Sequence, residues 1–144
     1  MGKILGNELL PKIIDLINAE RLAVIVATVD ENNNPNSTPI GFVKATSPST
    51  LRLAFHKSQS SHKNILNSSK ISVSFFAEEN ISVKMEGEAK LIKELEDYFI
   101  FEMKINEIKS SRSPYVRVVH GIDYEPMNKE AADYLDTILA ELIK

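Results

Sequence analysis

The stretch that decides the fold spans residues 51–76 and reads LRLAFHKSQSSHKNILNSSKISVSFF. Its first five residues alternate between apolar and polar or small side chains, as strands do, and a short helical run then leads into a second strand. The connection carries two lysines, two histidines and three serines, and no acidic residue occurs between residues 51 and 77. Ser60 or Ser61 is expected to cap the helix. Because the first N–H groups of a helix lack intrahelical partners, the connection predicts an anion site.

The composition limits the classes of protein to which the chain can belong. A length of 144 residues suffices for one domain with its own core. The chain has no cysteine, which excludes disulfides, thiolate zinc sites and cysteine catalysis, and its three histidines lack metal-ligand spacing. A net charge of −3 gives no overall attraction to nucleic acid or anionic membranes, and no segment is apolar for the length that a bilayer requires. We expect a soluble cytoplasmic protein with no metal, nucleic-acid or membrane partner.

Hydrophobic periodicity predicts strands between two amphipathic helices. Residues 7–19 and 128–144 place apolar side chains three and four positions apart, with Asn7 and Asn128 as expected caps. Residues 22–29 are almost entirely apolar and are expected to form a strand buried on both faces. Further strands are predicted at 36–45, 70–77, 81–91, 115–120 and in the later part of 93–111, whose first part is interpreted as a turn or short helix.

Together with the strand at residues 51–55, this gives six or seven mostly antiparallel strands and peripheral helices, the pattern of a mainly β fold that closes into a small barrel. Gly41 and Gly87 lie inside predicted strands and indicate a bulge, a corner or a close backbone approach. Residues 1–144 are expected to form one domain, with the amphipathic helix at about 128–144 as its C-terminal element.

Three segments resemble the FMN-binding split-barrel family, which includes pyridoxamine 5′-phosphate oxidase and its shorter relatives. They are the strand pair at 22–43, the 51–76 unit with Ser61-His62-Lys63-Asn64, and the strand that contains Met85-Glu86-Gly87-Glu88-Ala89. The resemblance covers residues 9–124. It implies an antiparallel split barrel of the Greek-key type and a homodimer with FMN at the subunit interface.

The resemblance also implies which residues bind the cofactor. Four residues would face the flavin ring, chiefly through backbone atoms: Thr38, Pro39, Ile40 and Gly41. Surrounding the phosphate would be Lys57, Ser58, Ser61, His62 and Lys63, with Asn64 supporting the helix start and Arg52 as a further phosphate candidate. No catalytic side chain is implied, because FMN itself carries the redox chemistry.

The implied activity is an oxidoreductase that transfers hydride or electrons through FMN between a nicotinamide donor or small reduced substrate and an acceptor. The vitamin-forming oxidases end in a basic extended segment that helps to bind pyridoxamine, whereas residues 134–144 here predict an amphipathic helix, which argues against vitamin B6 synthesis. Two alternatives stay open. One is a non-catalytic split barrel that binds FMN, a deazaflavin or haem, and the other is a cofactor-free dimeric interaction module.

Overall fold

The computed structural model describes residues 2–19 and 22–144, which contain eight strands and three helices. The strands are β1 (Lys3–Gly6), β2 (Val24–Val29), β3 (Pro35–Ile40), β4 (Val43–Ser47), β5 (Thr50–His56), β6 (Lys70–Ala77), β7 (Ile81–Glu94) and β8 (Tyr98–Ser110). The helices are α1 (Pro11–Ile17), α2 (Ser61–Asn67) and α3 (Lys129–Leu142). None of these helices has the length and apolar character needed to span a bilayer.

All strands belong to one antiparallel sheet whose order is β3-β2-β6-β7-β8-β5-β4, with β1 added to β8. The strands β3 and β4 therefore lie at opposite ends of the sheet, although only Gly41 and Phe42 separate them in sequence. A sheet whose two ends are joined by two residues has to curl on itself, yet β3 and β4 do not pair. The fold is thus a split barrel, as the family resemblance implied, and not the closed barrel that the strand pattern alone predicted.

The predicted strand at 36–45 is wrong in one respect, because it is two strands that separate at Gly41. There the chain passes from one end of the sheet to the other, and the Tyr124 ring occupies the space in which a side chain at position 41 would lie. Strand β1 was not predicted, because all four of its residues are exposed and show no alternation of apolar and polar side chains. Residues 115–120 form no strand, and Val118 is held instead by its hydrogen bonds with Asn80.

The barrel core contains one face of each central strand. Its fully buried side chains include Val26, Val73, Met85, Phe55 and Phe101, and the two phenylalanine rings contact edge to face with centroids 5.8 Å apart. The prediction that residues 22–29 are buried on both faces is wrong. Val24, Val26 and Thr28 point into the core, whereas Ala27 and Val29 on the other face of β2 are exposed.

Gly87 marks an irregularity in the long β7–β8 pairing, as predicted. The register shifts between Glu86 and Gly87, and a Cβ atom at position 87 would lie 2.0 Å from the carbonyl oxygen of Lys104. The ambiguous region 93–111 consists of the end of β7, a turn and the strand β8, so no helix forms there. The close backbone approach at Gly87 thus lets two long strands bend around the core.

The two outer helices start differently. Helix α1 begins at Pro11 with Leu10 as its N-cap, so the predicted cap at Asn7 is wrong; proline is favoured there because the first helical N–H needs no partner. Helix α3 begins after Asn128, whose Oδ1 accepts a hydrogen bond of 2.8 Å from the Ala131 N–H, as predicted. Its buried residues Ile138, Leu139 and Leu142 pack with Ala54 of β5 and Ile100 of β8 in a second, smaller core.

Candidate functional site

The candidate site begins where β5 ends and the chain enters α2. His56 closes β5, and its Nδ1 lies 2.7 Å from the Ser58 Oγ while accepting a hydrogen bond of 3.1 Å from the Ser58 N–H. Because a backbone N–H can only donate, Nδ1 is an acceptor and the neutral ring carries its proton on Nε2. The Ser58 hydroxyl therefore donates to His56, and the loop of residues 57–60 is held in shape by its own side chains.

The first turn of α2 has no side-chain cap, contrary to prediction. Ser60 occupies the N-cap position, but neither its hydroxyl nor that of Ser61 caps the helix. The Ser61 side chain is fully buried, and its Oγ lies 3.0 Å from the Thr38 Oγ1 and accepts a weaker hydrogen bond of 3.4 Å from the Asn36 amide. No side-chain acceptor caps this turn, and the N–H groups of Lys63 and Asn64 donate to the Ser60 carbonyl oxygen, so at most the N–H groups of Ser61 and His62 are left for an anion.

A buried polar cluster joins α2 to β2 and β3. It consists of Thr28, Asn36, Thr38, Ser61 and Asn64. The Asn64 amide donates to the Thr28 Oγ1 at 3.0 Å, and the Asn36 amide reaches the same oxygen at 3.4 Å. Among the described residues no buried side-chain nitrogen or oxygen lacks a hydrogen-bond partner. The cluster therefore fixes the start of α2 beside β3, and Asn64 is one of its anchors.

Two residues predicted to surround a phosphate, His62 and Lys57, interact with each other and with neighbouring strands. The His62 ring is buried, its Nε2 lies 3.0 Å from the Lys57 carbonyl oxygen, and it packs on Phe99 with centroids 4.8 Å apart. The Lys57 Nζ lies 2.9 Å from a Glu94 carboxylate oxygen and 5.1 Å from the Phe99 ring centroid. Lys63 is exposed, and it forms no salt bridge within the described part of the chain.

The residues predicted to face a flavin ring are the last three of β3 and the glycine after it. This strand lies at one end of the sheet, so one side of its backbone is unpaired within residues 2–19 and 22–144, which is where a proline such as Pro39 is tolerated. Thr38 belongs to the polar cluster, Pro39 is exposed and Ile40 points into the core. The Gly41 carbonyl accepts a hydrogen bond of 3.0 Å from the Tyr124 hydroxyl.

An apolar groove of about 270 Å³ adjoins this end of β3. It is lined by Ala23, Pro39, Ile40, Gly41, Phe42, Tyr124 and Leu135. Sequence reasoning missed Phe42, Tyr124 and Leu135 as groove residues, because the last two come from later parts of the chain that no local pattern connects to β3. The one available signal was Gly41, which indicated a close approach without naming its partner.

Next to the groove, four aromatic rings meet at the end of β5. The Tyr98 ring lies edge to face with Phe42 and with His56, with centroids 5.2 Å apart in both pairs, and 6.5 Å from the Tyr134 ring of α3. Burial, together with the neighbouring Tyr134, raises the pKa of Tyr98 to about 12. Tyr98 is therefore a neutral hydroxyl at physiological pH.

The guanidinium of Arg52, which was predicted as a further phosphate candidate, contacts the end of α3. Its Nη1 donates to the carbonyl oxygens of Leu142, at 3.1 Å, and Lys144, at 2.9 Å, and its Nε lies 3.2 Å from a Glu102 carboxylate oxygen. The guanidinium thus binds the carbonyl groups at the end of α3, where a cation also offsets the helix dipole. The described residues contain no cluster of histidine and acidic side chains suited to a metal ion.

The family model for pyridoxamine 5′-phosphate oxidase matches residues 9–123, most of the chain. The chain belongs to this family. No curated protein matches the sequence. The family match ends just before Tyr124, so this residue and all of α3 lie outside it. The members of the polar cluster, by contrast, all lie within the matched region.

Solved structures of other proteins share the fold. A candidate pyridoxamine 5′-phosphate oxidase from Lactobacillus delbrueckii is 23% identical, with a TM-score of 0.63 over 75% of this chain and 98% of its own. An FMN-binding protein from Syntrophomonas wolfei is 18% identical, with a TM-score of 0.57 over 69% and 84%. HutZ, the haem storage protein from Vibrio cholerae, is 14% identical, with a TM-score of 0.57 over 73% and 97%. At these identities the similarity establishes the fold alone.

Proposed function

We propose that this member of the pyridoxamine 5′-phosphate oxidase family binds FMN and acts as a cytoplasmic oxidoreductase on a small redox substrate or a nicotinamide donor. The observation that carries the proposal is the 3.0 Å contact between the Thr38 Oγ1 and the Ser61 Oγ. It holds the unpaired edge of β3 beside the uncapped first turn of α2. One ligand that has both a phosphate and a planar polar ring can therefore reach both features.

The start of α2 suits the phosphate end of FMN. Its first N–H groups have no side-chain acceptor, and a phosphate at such a helix start accepts hydrogen bonds while facing the positive end of the helix dipole. Lys63 projects from the first turn and supplies a cation, whereas the charge of Lys57 is already paired with Glu94. We therefore assign Lys63 and the α2 amides to the phosphate, with Ser58 at the rim, and we assign Ser61, His62 and Asn64 to holding the turn in place.

The free edge of β3 suits the ring end. A strand rises about 3.3 Å per residue, so the three steps from Thr38 to Gly41 carry the backbone roughly 10 Å away from α2. Unpaired N–H and C=O groups along an edge strand can hydrogen-bond the polar rim of a flavin. Bound FMN would supply the hydride or electron transfer, and the chain's task is to bind it, orient it and exclude water.

We also propose that a second copy of the chain completes the site as a homodimer. Val29 of β2 is 38% exposed and Phe76 of β6 is 54% exposed, and both belong to strands near the free edge of the sheet. In the β2–β6 register Val29 lies level with Lys70, and Phe76 lies roughly 20 Å away at the other end of β6, so each is a separate exposed apolar side chain. The dimer proposal therefore rests mainly on the free edge of β3 and on the resemblance to a family that holds flavin at a subunit interface. A dimer interface here would lie next to the β3 edge and shield the flavin ring from solvent.

FMN titration of the purified protein, followed by quenching of flavin fluorescence, tests the proposal. We expect saturable binding of one FMN per chain. The variant Lys63→Ala should weaken binding by about 10- to 100-fold, since a charge-assisted hydrogen bond contributes about 1.5–3 kcal/mol. Lys104→Ala, which removes an exposed lysine from β8 outside the site, is the matched control and should leave the affinity unchanged.

A wild-type protein that does not bind FMN would refute the proposal, and equal losses in Lys63→Ala and Lys104→Ala would refute the phosphate assignment. The absorption spectrum of the protein as purified distinguishes flavin from haem. Reduction of the bound flavin by NADH or NADPH, with turnover of an added acceptor, then distinguishes an oxidoreductase from a carrier. Size-exclusion chromatography with light scattering measures the mass and so tests the dimer.

A further inference from the structure

The apolar groove beside Gly41 lies where the proposed flavin strand meets the part of the chain beyond the family match. It is lined by Pro39, Ile40 and Gly41 at the end of β3, and by Tyr124 and Leu135 of α3 from later parts of the chain. Among the described residues, none that lines the groove carries a charge. The groove therefore combines residues that the family match includes with two side chains that it does not.

We propose that this groove is the substrate pocket and that it takes a small, uncharged aromatic molecule of one or two rings. The inference rests on the proposed function for its role as a substrate site, because Thr38 to Gly41 are the residues assigned to the flavin ring. A molecule in the groove would lie directly beside that strand. The inference that the groove binds an apolar ring depends only on the geometry and lining of the groove, not on the proposed function.

The volume of the groove sets the size of the ligand. An apolar cavity of roughly 150 Å³ holds one benzene ring, so about 270 Å³ has room for roughly two fused rings. The lining sets its charge. A phosphate or carboxylate placed there would exchange part of its hydration for apolar contact, without a cation among the described lining residues, which disfavours binding. The groove thus selects against anionic substrates such as phosphate esters.

Contacts with the Gly41 backbone and with the second core hold the Tyr124 and Leu135 wall in position. The Tyr124 hydroxyl donates to the Gly41 carbonyl at 3.0 Å, and the ring can pack on the backbone there because residue 41 has no Cβ atom. Leu135 belongs to α3, which Ile138, Leu139 and Leu142 anchor in the second core. The C-terminal helix therefore acts as a positioning element for the pocket, and Leu135 is its specificity-determining side chain.

Calorimetric titration of the FMN-loaded protein with two probes, naphthol and naphthyl phosphate, tests the proposal. FMN loading keeps the phosphate probe out of the cofactor site. We expect naphthol to bind and naphthyl phosphate to bind more than about tenfold more weakly. Leu135→Arg should reverse this preference, because it places a cation in the apolar wall. Ala140→Arg, which adds the same charge at an exposed position of α3, should behave like the wild type.

Equal binding of the two probes by the wild type, no binding of naphthol, or an unchanged preference in Leu135→Arg would each overturn the proposal. FMN affinity is measured separately, and Leu135→Arg should retain it. If the wild type binds no FMN, the proposed function fails. The same titrations on the unloaded protein then test whether the groove binds an aromatic ring. Naphthol binding that Leu135→Arg abolishes and Ala140→Arg retains would support the pocket, whereas its absence would exclude it.

Discussion

Replacement of Gly41 by alanine tests how the groove wall is built. An added Cβ atom would lie 2.8 Å from the Tyr124 Cε1 and 2.9 Å from its Cζ, so the ring has to withdraw by about 0.7 Å to reach an ordinary carbon–carbon separation of about 3.5 Å. The ring is the far end of a partly exposed side chain and can move. Its movement lengthens the 3.0 Å hydrogen bond to the Gly41 carbonyl, and the loss of that bond is worth about 0.5–1.5 kcal/mol.

Alanine also lowers the conformational entropy of the unfolded chain, which offsets about 0.4–1 kcal/mol of this loss. The gain applies here because Gly41 does not have a positive φ angle, so alanine can adopt its backbone conformation. We therefore expect Gly41→Ala to lower the free energy of unfolding by no more than about 1 kcal/mol in urea titrations. Gly121→Ala is the contrasting variant. Its Cβ atom would lie 1.8 Å from the carbonyl oxygen of Phe76, a backbone atom of β6. Gly121→Ala should therefore lower the free energy of unfolding by about 3 kcal/mol or more.

A double variant determines whether the Gly41→Ala effect passes through the hydrogen bond. Tyr124→Phe removes the hydroxyl alone, and in Gly41→Ala/Tyr124→Phe the two effects should not add, because each removes the same interaction. Additive effects, or a Gly41→Ala variant as unstable as Gly121→Ala, would refute the reasoning. The first outcome would mean that the ring keeps its hydrogen bond in the variant, and the second that the ring cannot move.

Three further predictions concern stability. Asn128→Ala should lower the free energy of unfolding by about 1 kcal/mol, since it removes the side-chain cap of α3; urea titration measures this, and an unchanged midpoint would contradict it. The free energy of unfolding should fall as pH rises from about 10 towards 12, because folded Tyr98 keeps a proton that the unfolded chain releases; a Tyr98→Phe variant with the same fall would refute this cause. In a double-mutant cycle, Ser61→Ala and Thr38→Val should show a coupling energy of about 0.5–1.5 kcal/mol, and additive losses would show that the two hydroxyls do not interact.

Local pattern predicted most of the fold where one face of a strand is buried. The predicted strand at 70–77 coincides with β6, since Ile71, Val73 and Phe75 alternate with less buried residues. In the turn that follows it, Glu79 and Asn80 have positive φ angles, which match a tight hairpin. Pattern failed at β1, whose residues are all exposed, and at Gly41, where the break depends on a ring that lies 83 residues later in the chain.

The candidate site was harder to predict because the chemistry of a side chain does not reveal its partner. Ser61 has the sequence context of a helix cap, yet its hydroxyl bonds to Thr38, which is 23 residues away. Arg52 has the charge expected of a phosphate ligand, yet its guanidinium binds carbonyl groups at the end of α3, about 90 residues later. In both cases the residue type was compatible with the predicted role, and tertiary packing gave it another.

The short motif in α2 therefore combines two kinds of residue, and this separation bears on how one fold can serve several cofactors. Ser61, His62 and Asn64 are buried and hydrogen-bonded, so they fix the geometry of the turn whatever it binds. Lys63 is exposed and can change without altering that geometry. Structural relatives that bear the names of an FMN-binding protein and a haem storage protein share the split barrel. In this chain the buried residues hold the turn, so the ligand proposed for it is expected to depend on exposed positions such as Lys63, and on walls such as Leu135 that other parts of the chain supply.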